Sequence, residues 1–390
     1  MTPSLGGRRR CSRVTSLDWP FYEPRHRELA SDIDTWARAH LAVDHDGDVD
    51  EQCRTLVRDL GAAGFLALCV ASDRMPDVRS LAIARETLAY HDGLADFAFA
   101  MQGLGSGAIS LAGSAAQKAE WLPGIARGET IAAFAMTEPD TGSDAANIAM
   151  TATADGDGFV LDGQKTYISN GGIADVYTVL ARTGEAPGAR GLSMFIVRAD
   201  DPGLNIAERI EVIAPHPLAR LVFTGVRGEL IGAAGDGFRI AMQTLTLFRV
   251  TVAAAALGFA RRALAEAIAF ASTRKLGSAT LADNAVTQAR LADMATSIDA
   301  AALLVARAAW QQDLGSADNR RAAAMAKLYA TEAAQGVIDA AVQLHGGMGV
   351  TRGVVVERLY RDIRALRIYE GASEVQRQTI ARDLLKELQP

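Results

Sequence analysis

The chain has 390 residues, 49% hydrophobic and 22% charged; the length predicts two or three domains, and the composition fits a globular protein. Its 40 Lys and Arg against 46 Asp and Glu leave a net charge of -6, which removes any electrostatic reason to expect a nucleic-acid partner. The longest apolar stretch, "VTVAAAALGFA" at 250–260, ends at Arg261-Arg262 and is too short to span a bilayer, so no membrane insertion is expected.

A basic cluster, "GRRRC" at 7–11, reads as a solvated leader, because no apolar run follows it as in a secretory signal. Cys11, Cys53 and Cys69 show neither metal spacing nor a disulfide framework, so a reducing cytoplasm is the expected compartment and no metal is expected. From about Tyr22 to Gly128, apolar residues recur at three and four. Residues 26–41 align Leu29, Ile33, Trp36 and Leu41, and residues 51–66 align Cys53, Leu56, Val57 and Leu60, which predicts two amphipathic helices.

From about Thr130 to Gly235 the period falls to two. Asp-Gly pairs at 155–156, 157–158 and 162–163 predict tight hairpins, and "DVYTVLART", "GLSMFIVRA" and "LARLVFTGV" are further strands. From Gly237 to Leu388 the helical period returns. Residues 238–275, 284–315, 319–347 and 372–388 predict four helices, the third stopped by Gly346-Gly347. The expectation is an α+β, mostly α chain: an N-terminal helical domain (17–129), a β-barrel-like middle domain (130–235) and a C-terminal four-helix bundle (236–390).

Four stretches could carry chemistry. "FAMTEPDTGSD" (134–144) offers hydroxyls and loop N–H groups to an anion or carbonyl, though taken alone a plain strand-to-loop turn explains it better. "GQKTYISNGG" (163–172) alternates Lys165, Tyr167 and Ser169; Tyr167 could cover a flat heterocycle or sit in a hairpin core. "QLHGGMG" (343–349) could admit a close-approaching group or be a C-cap. In "RIYEGASEVQ" (367–376), Glu370 stands just before a helix start, where a carboxylate commonly caps.

In this order and spacing the four stretches, over residues 25–388, resemble the acyl-CoA dehydrogenase family. The resemblance implies the three-domain fold above, a homotetramer, and FAD held between the β domain and the bundle. It implies FAD-dependent α,β-dehydrogenation of an acyl-CoA to a trans-2-enoyl-CoA, with an electron-transfer flavoprotein as acceptor. It places Phe134, Met136, Thr137, Gly142 and Ser143 at the flavin, Ser143 also facing the thioester, with Tyr167, Ile168 and Ser169 against the ring system. It assigns Arg274 to the pyrophosphate of another subunit's FAD, Gln343, Gly346 and Gly347 to the ADP portion, and Ala372, Ser373 and Glu374 to the dinucleotide. Arg249, Tyr369 and Gly371 fall on the acyl-CoA channel.

Glu370 then falls on the family's catalytic base. Removing a proton α to a thioester needs a base above the substrate plane, and burial suits a carboxylate to this by raising its pKa. The β hydride leaves toward flavin N5, so base and flavin must flank the Cα–Cβ bond. The carbonyl needs donors, which the resemblance assigns to the N–H of the base and a flavin hydroxyl.

The chain departs from the family pattern at "RKLGS" (274–278), which lacks an aromatic, at Ala285 in place of Gln, at Ala372 in place of Thr, and at "CVASDRMPDVRS" (69–80). Residues 94–111 contain no arginine, so a glutaryl-like substrate is not expected. Phe97, Phe99, Met101 and Leu104 are the expected acyl walls, admitting short, branched or cyclic groups. An oxidase passing electrons to O₂, or an enzyme acting on carrier-protein thioesters, would share this fold.

Overall fold

A computed structural model describes residues 15–41, 47–70, 76–156, 158–316 and 319–387. The basic cluster at 7–11 with Cys11, and residues 71–75 of the departing segment 69–80, lie outside them. The N-terminal helices are α1 (Pro24–His40), α2 (Val49–Ala62), α3 (Val78–His91), α4 (Gly93–Ala112) and α5 (Ala115–Ala126). Side chains of Asp48, Asp77, Asp92 and Ser114 accept from the first free N–H groups of α2 to α5, which fixes where each helix starts. The buried face of α1 is His26, Ala30, Ile33 and Ala37; the larger Leu29 and Trp36 of the expected stripe are only half-buried.

Asp92 alone joins α3 to α4, ending one helix and capping the next. This reversal sets Arg85 and Asp96 opposite each other inside the protein. Of the expected acyl walls, Phe99 is sealed in the core beside Cys69, whereas Phe97 is half-buried with its ring 4.5 Å from that of His216.

The middle region holds β1 (Ala132–Ala135), β2 (Thr151–Asp155), β3 (Gly158–Ser169), β4 (Val176–Arg182), β5 (Leu192–Arg198), β6 (Leu204–Arg209) and β7 (Leu218–Ile231). Pairings run β4–β2–β3–β7–β5 and back to β4, closing a five-membered ring with β1 beside β4 and β6 beside β7. Closure leaves few open edges. Of the predicted turns, the β2–β3 hairpin closes at Asp155 and Gly158. Asp162-Gly163 is instead a bulge inside β3, where Gly163 has φ +146 and packs against Met150.

The C-terminal region contains α6 (Gly237–Thr273), a two-stranded hairpin of β8 (Lys275–Leu276) and β9 (Ala279–Thr280), α7 (Ala285–Asp313), α8 (Asn319–His345), α9 (Val355–Leu366) and α10 (Ser373–Glu387). The four predicted helices form, but α9 is a fifth that the pattern reading missed. As a whole, α6 is long and apolar enough to cross a membrane, and 83% of its most apolar window is buried within the protein. It packs against α3, α4, α7, α8 and α9.

Small residues let α6 and α3 approach closely. A Cβ added at Gly258 would lie 2.2 Å from the Glu86 carbonyl oxygen, a backbone atom that cannot swing aside. Gly258→Ala is therefore expected to lower stability by about 1–3 kcal/mol, read as a fall in the urea unfolding midpoint.

Candidate active site

Helix α9 positions the candidate base. Arg361 donates to the Ile213 carbonyl of the middle domain at 2.9 Å, and Asp362 lies where a Cβ on Gly93, the first residue of α4, would meet it at 2.9 Å. Anchored to both domains, α9 ends at Leu366, and the chain turns so that Glu370 and Gly371 adopt left-handed φ values of 51° and 88°. For glutamate this costs roughly 1 kcal/mol or more and persists only where its surroundings enforce it. They do so here: the Gly371 carbonyl accepts from Lys327 Nζ at 2.9 Å and from Gln376 Nε2 at 2.7 Å. Ser373 Oγ donates to Glu332 Oε1 at 2.6 Å, and Glu332 also holds Arg367 at 2.7 Å.

The turn delivers a desolvated carboxylate. Glu370 Oε2 is sealed from water and has no hydrogen-bond partner. Burial raises the Glu370 pKa above the ordinary carboxylate value; Arg85, Lys327 and Arg249 oppose that rise and Asp96 adds to it. Arg249 is 9% exposed, its Nε is also unpartnered, and burial lowers its pKa. Burial lowers that of Lys327 to about 8. Tyr369, next to the base, is 37% exposed. The Tyr369 N–H bonds the Ala365 carbonyl, whereas the Glu370 N–H has no backbone partner and is left as a donor.

The predicted flavin segments meet on the middle domain. Lys165 is fully buried and donates to the Met136 carbonyl and to Glu138 Oε1, both at 2.9 Å. Thr166 N donates to the Thr137 carbonyl at 2.9 Å, tying the loop after β1 to β3. Between Lys165 and Ile168 the strand bulges, and Tyr167 takes φ 54° and stands 63% exposed while Ile168 is buried. The bulge breaks the expected alternation: Lys165 points in and Tyr167 points out. Phe134, Met136, Thr137 and Ser169 are half-buried, and Gly142 and Ser143 are exposed. An exposed aromatic ring held in a strained conformation beside a backbone-rich loop fits a flat heterocycle.

The remaining predicted residues gather elsewhere. Arg274 caps α6 and is exposed, about 37 Å along that helix from Arg249. Phe270 of α6 stacks on His345 of α8 at 4.4 Å, so Arg274, Gln343, Gly346 and Gly347 share one end of the bundle. A Cβ at Gly346 or Gly347 would meet nothing within 4 Å. Within one chain these four do not reach Glu370. Ala372 is half-buried and Glu374 exposed, whereas Ser373 is 4% exposed and spends its hydroxyl on Glu332.

The sequence reading missed Arg85, Asp96, Lys327 and Gln376. An arginine does approach the acyl-side region, from α3 rather than from residues 94–111, but Asp96 already occupies its fork. The available signal was charge inside apolar helices: such residues are seldom fully buried unless paired.

Profiles of the acyl-CoA dehydrogenase N-terminal, middle and C-terminal domains match residues 23–129, 133–226 and 235–385. The chain is 37% identical over 372 residues to a probable acyl-CoA dehydrogenase of Mycobacterium leprae, covering 93% of this chain and 95% of that protein. It is 39% identical over 281 residues to a 3-(aryl)acrylate reductase of Clostridium sporogenes, covering 71% and 74%. The butyryl-CoA dehydrogenase structure from Megasphaera elsdenii superposes with a TM-score of 0.85 at 31% identity, covering 93% of this chain and 98% of that one. With all three domain profiles matched in order, the chain belongs to the acyl-CoA dehydrogenase family of flavoprotein oxidoreductases.

Proposed function

We propose that this protein dehydrogenates an acyl-CoA thioester to the trans-2-enoyl-CoA, with Glu370 as the base. The observation that carries this reading is the Glu370 carboxylate: an oxygen sealed from water and unpartnered, on a left-handed turn, with a raised pKa. A group kept in that state gains by taking a proton. The free Glu370 N–H suits the thioester oxygen, where negative charge develops as the α proton leaves. The Arg249 side chain adds positive charge facing the same carboxylate.

Met136, Thr137, Ser143, Tyr167 and Ser169 would hold FAD, which when bound supplies the hydride acceptor. The exposed end of the bundle, with Arg274, Gln343, Gly346 and Gly347, would complete a flavin site on a neighbouring subunit, in keeping with a homotetramer. An electron-transfer flavoprotein is the proposed acceptor. Half-buried Phe97 and exposed Tyr369, as the acyl walls, favour a short, branched or cyclic acyl group.

The test is anaerobic bleaching of bound flavin by acyl-CoAs of graded length and branching. Bleaching by one of them, with enoyl product, supports the reading. No bleaching by any CoA ester, but bleaching by a carrier-protein thioester, would move the activity to that carrier; in a parallel turnover in air, peroxide formed in stoichiometric yield would make the enzyme an oxidase. Tyr167→Ser is expected to weaken FAD binding to the apoprotein about tenfold, read by flavin fluorescence titration.

A further inference from the structure

The loop that carries Glu370 is held by side chains of other elements. It runs from Arg367, at the end of α9, to Ser373, the first residue of α10, and closes where Ser373 N donates to the Arg367 carbonyl at 3.1 Å. Glu332 of α8 pins the two ends together. One of its oxygens holds Arg367 Nη2 at 2.7 Å and the other accepts from Ser373 Oγ at 2.6 Å. Lys327, also of α8, holds the loop just past the base, its Nζ donating to the Gly371 carbonyl at 2.9 Å. Gln376 of α10 reaches back: its Nε2 donates to the Gly371 carbonyl at 2.7 Å and, more weakly, to the Glu370 carbonyl at 3.4 Å.

Stability alone does not explain these contacts. Lys327 is fully buried, yet its ammonium is spent on a backbone carbonyl, and burying a charge is costly. Gln376 is fully buried too, and its Oε1 has no partner, a cost that native structures seldom carry without a use. Gly371 makes room for that amide, since a Cβ there would lie 2.5 Å from Gln376 Nε2. Helix α8 packs against α6, α7, α9 and α10, so Lys327 and Glu332 are fixed points. What they fix is the left-handed backbone at Glu370 and Gly371. That conformation sets the direction of the Glu370 N–H, which has no backbone partner, relative to the Glu370 carboxylate. In the proposed reaction the N–H must meet the thioester oxygen while the carboxylate meets the α proton, and the oxygen gains charge only as the proton leaves.

We propose that Lys327 and Glu332, with Gln376, are positioning residues: a clamp that holds the 367–373 loop so that the N–H and the carboxylate of Glu370 are aligned together in the transition state. All three act through the loop backbone or its ends. A misaligned donor loses transition-state stabilisation and leaves ground-state binding alone, so the clamp should govern the rate of the chemical step and not substrate affinity. The Gly371 carbonyl keeps Gln376 when the ammonium is removed, so Lys327→Met leaves no acceptor orphaned there.

The inference rests on Glu370 being the base, and two readouts on the full chain keep the claims apart. The first is anaerobic stopped-flow reduction, scored on flavin-loaded protein, by whichever acyl-CoA of the graded series bleaches the unmodified protein fastest. Lys327→Met and Glu332→Leu are each expected to lower the limiting rate about 10²-fold, with the half-saturating concentration near that of the unmodified protein. The second is hydrogen exchange of the substrate-free protein read by mass spectrometry. Residues 367–376 should exchange about tenfold faster in both variants, while α9 is unchanged. Gly258→Ala, weakened outside the loop, controls for lost stability and should keep both the rate and the loop exchange. If Lys327→Met does not fold, Glu332→Leu and Gln376→Met decide by the same readouts. Variants that lose stability yet reduce flavin at the unmodified limiting rate, or whose loop exchange is unchanged, would overturn the positioning role. A fully active Glu370→Gln would instead overturn the base assignment, with the exchange data still deciding whether α8 holds the loop.

Discussion

Glu370→Gln is expected to reduce kcat/KM about 10²- to 10⁴-fold, with flavin content and thermal stability close to those of the unmodified protein. The substitution keeps the size of the side chain and removes a basicity that burial has raised above the ordinary carboxylate value. Because Glu370 must be ionised to accept the α proton, activity should rise with pH through the raised pKa. The acid limb therefore lies at higher pH than for an exposed glutamate. An acyl chain that expels water from the cleft raises the pKa further, so the limb in kcat should lie above that in kcat/KM. Stopped-flow bleaching of the flavin across pH measures both. A Glu370→Gln protein that bleaches at the original rate, or keeps the same acid limb, would remove Glu370 from the chemistry.

Lys165→Met is expected to cost about 3–5 kcal/mol of stability, the largest loss anticipated for one substitution in the middle domain. Lys165 is fully buried, and burial pushes its pKa down to about 8 against the opposing pull of Glu138. Removing the ammonium strands the Glu138 carboxylate, whose oxygens would be left with the amides of Ala149 and Met150 at 2.7 and 3.0 Å. Combining Lys165→Met with Glu138→Gln should recover part of the loss, since the buried charge goes while an acceptor remains. The same ammonium holds the Met136 carbonyl, so the single variant should also bind FAD more weakly than Glu370→Gln does. Denaturant unfolding and flavin titration on the three proteins check this; a Lys165→Met protein as stable as the unmodified one would mean that Glu138 is not left charged.

Much of the fold was legible because its signals are local. The period of three to four in residues 26–41 and 238–275, the short apolar runs around Tyr177 and Phe195, and Gly346-Gly347 after α8 depend only on chain neighbours. Helix α9 was overlooked although its stripe of Val356, Leu359 and Ile363 is regular, because a dozen residues of mixed charge between two motifs read as connection. The Asp162-Gly163 bulge was read as a turn, since Asp-Gly serves both and only pairing with β7 distinguishes them.

The site divides along the same line. Glu370, Tyr167 and the loop from Phe134 to Ser143 were found through order and spacing in the chain. What gives Glu370 its chemistry was not: Arg85, Asp96, Arg249 and Lys327 come from four different helices, and only their packing makes them neighbours of one carboxylate. The outward turn of Tyr167 and the burial of Lys165 likewise follow from a bulge set by the register with β7. By itself the sequence determined the class of fold and the family, and it singled out Glu370 as the residue proposed to be the base. The tertiary structure alone decided how strongly that base holds a proton, because desolvation and facing charge depend on distance through space and carry no signature along the chain.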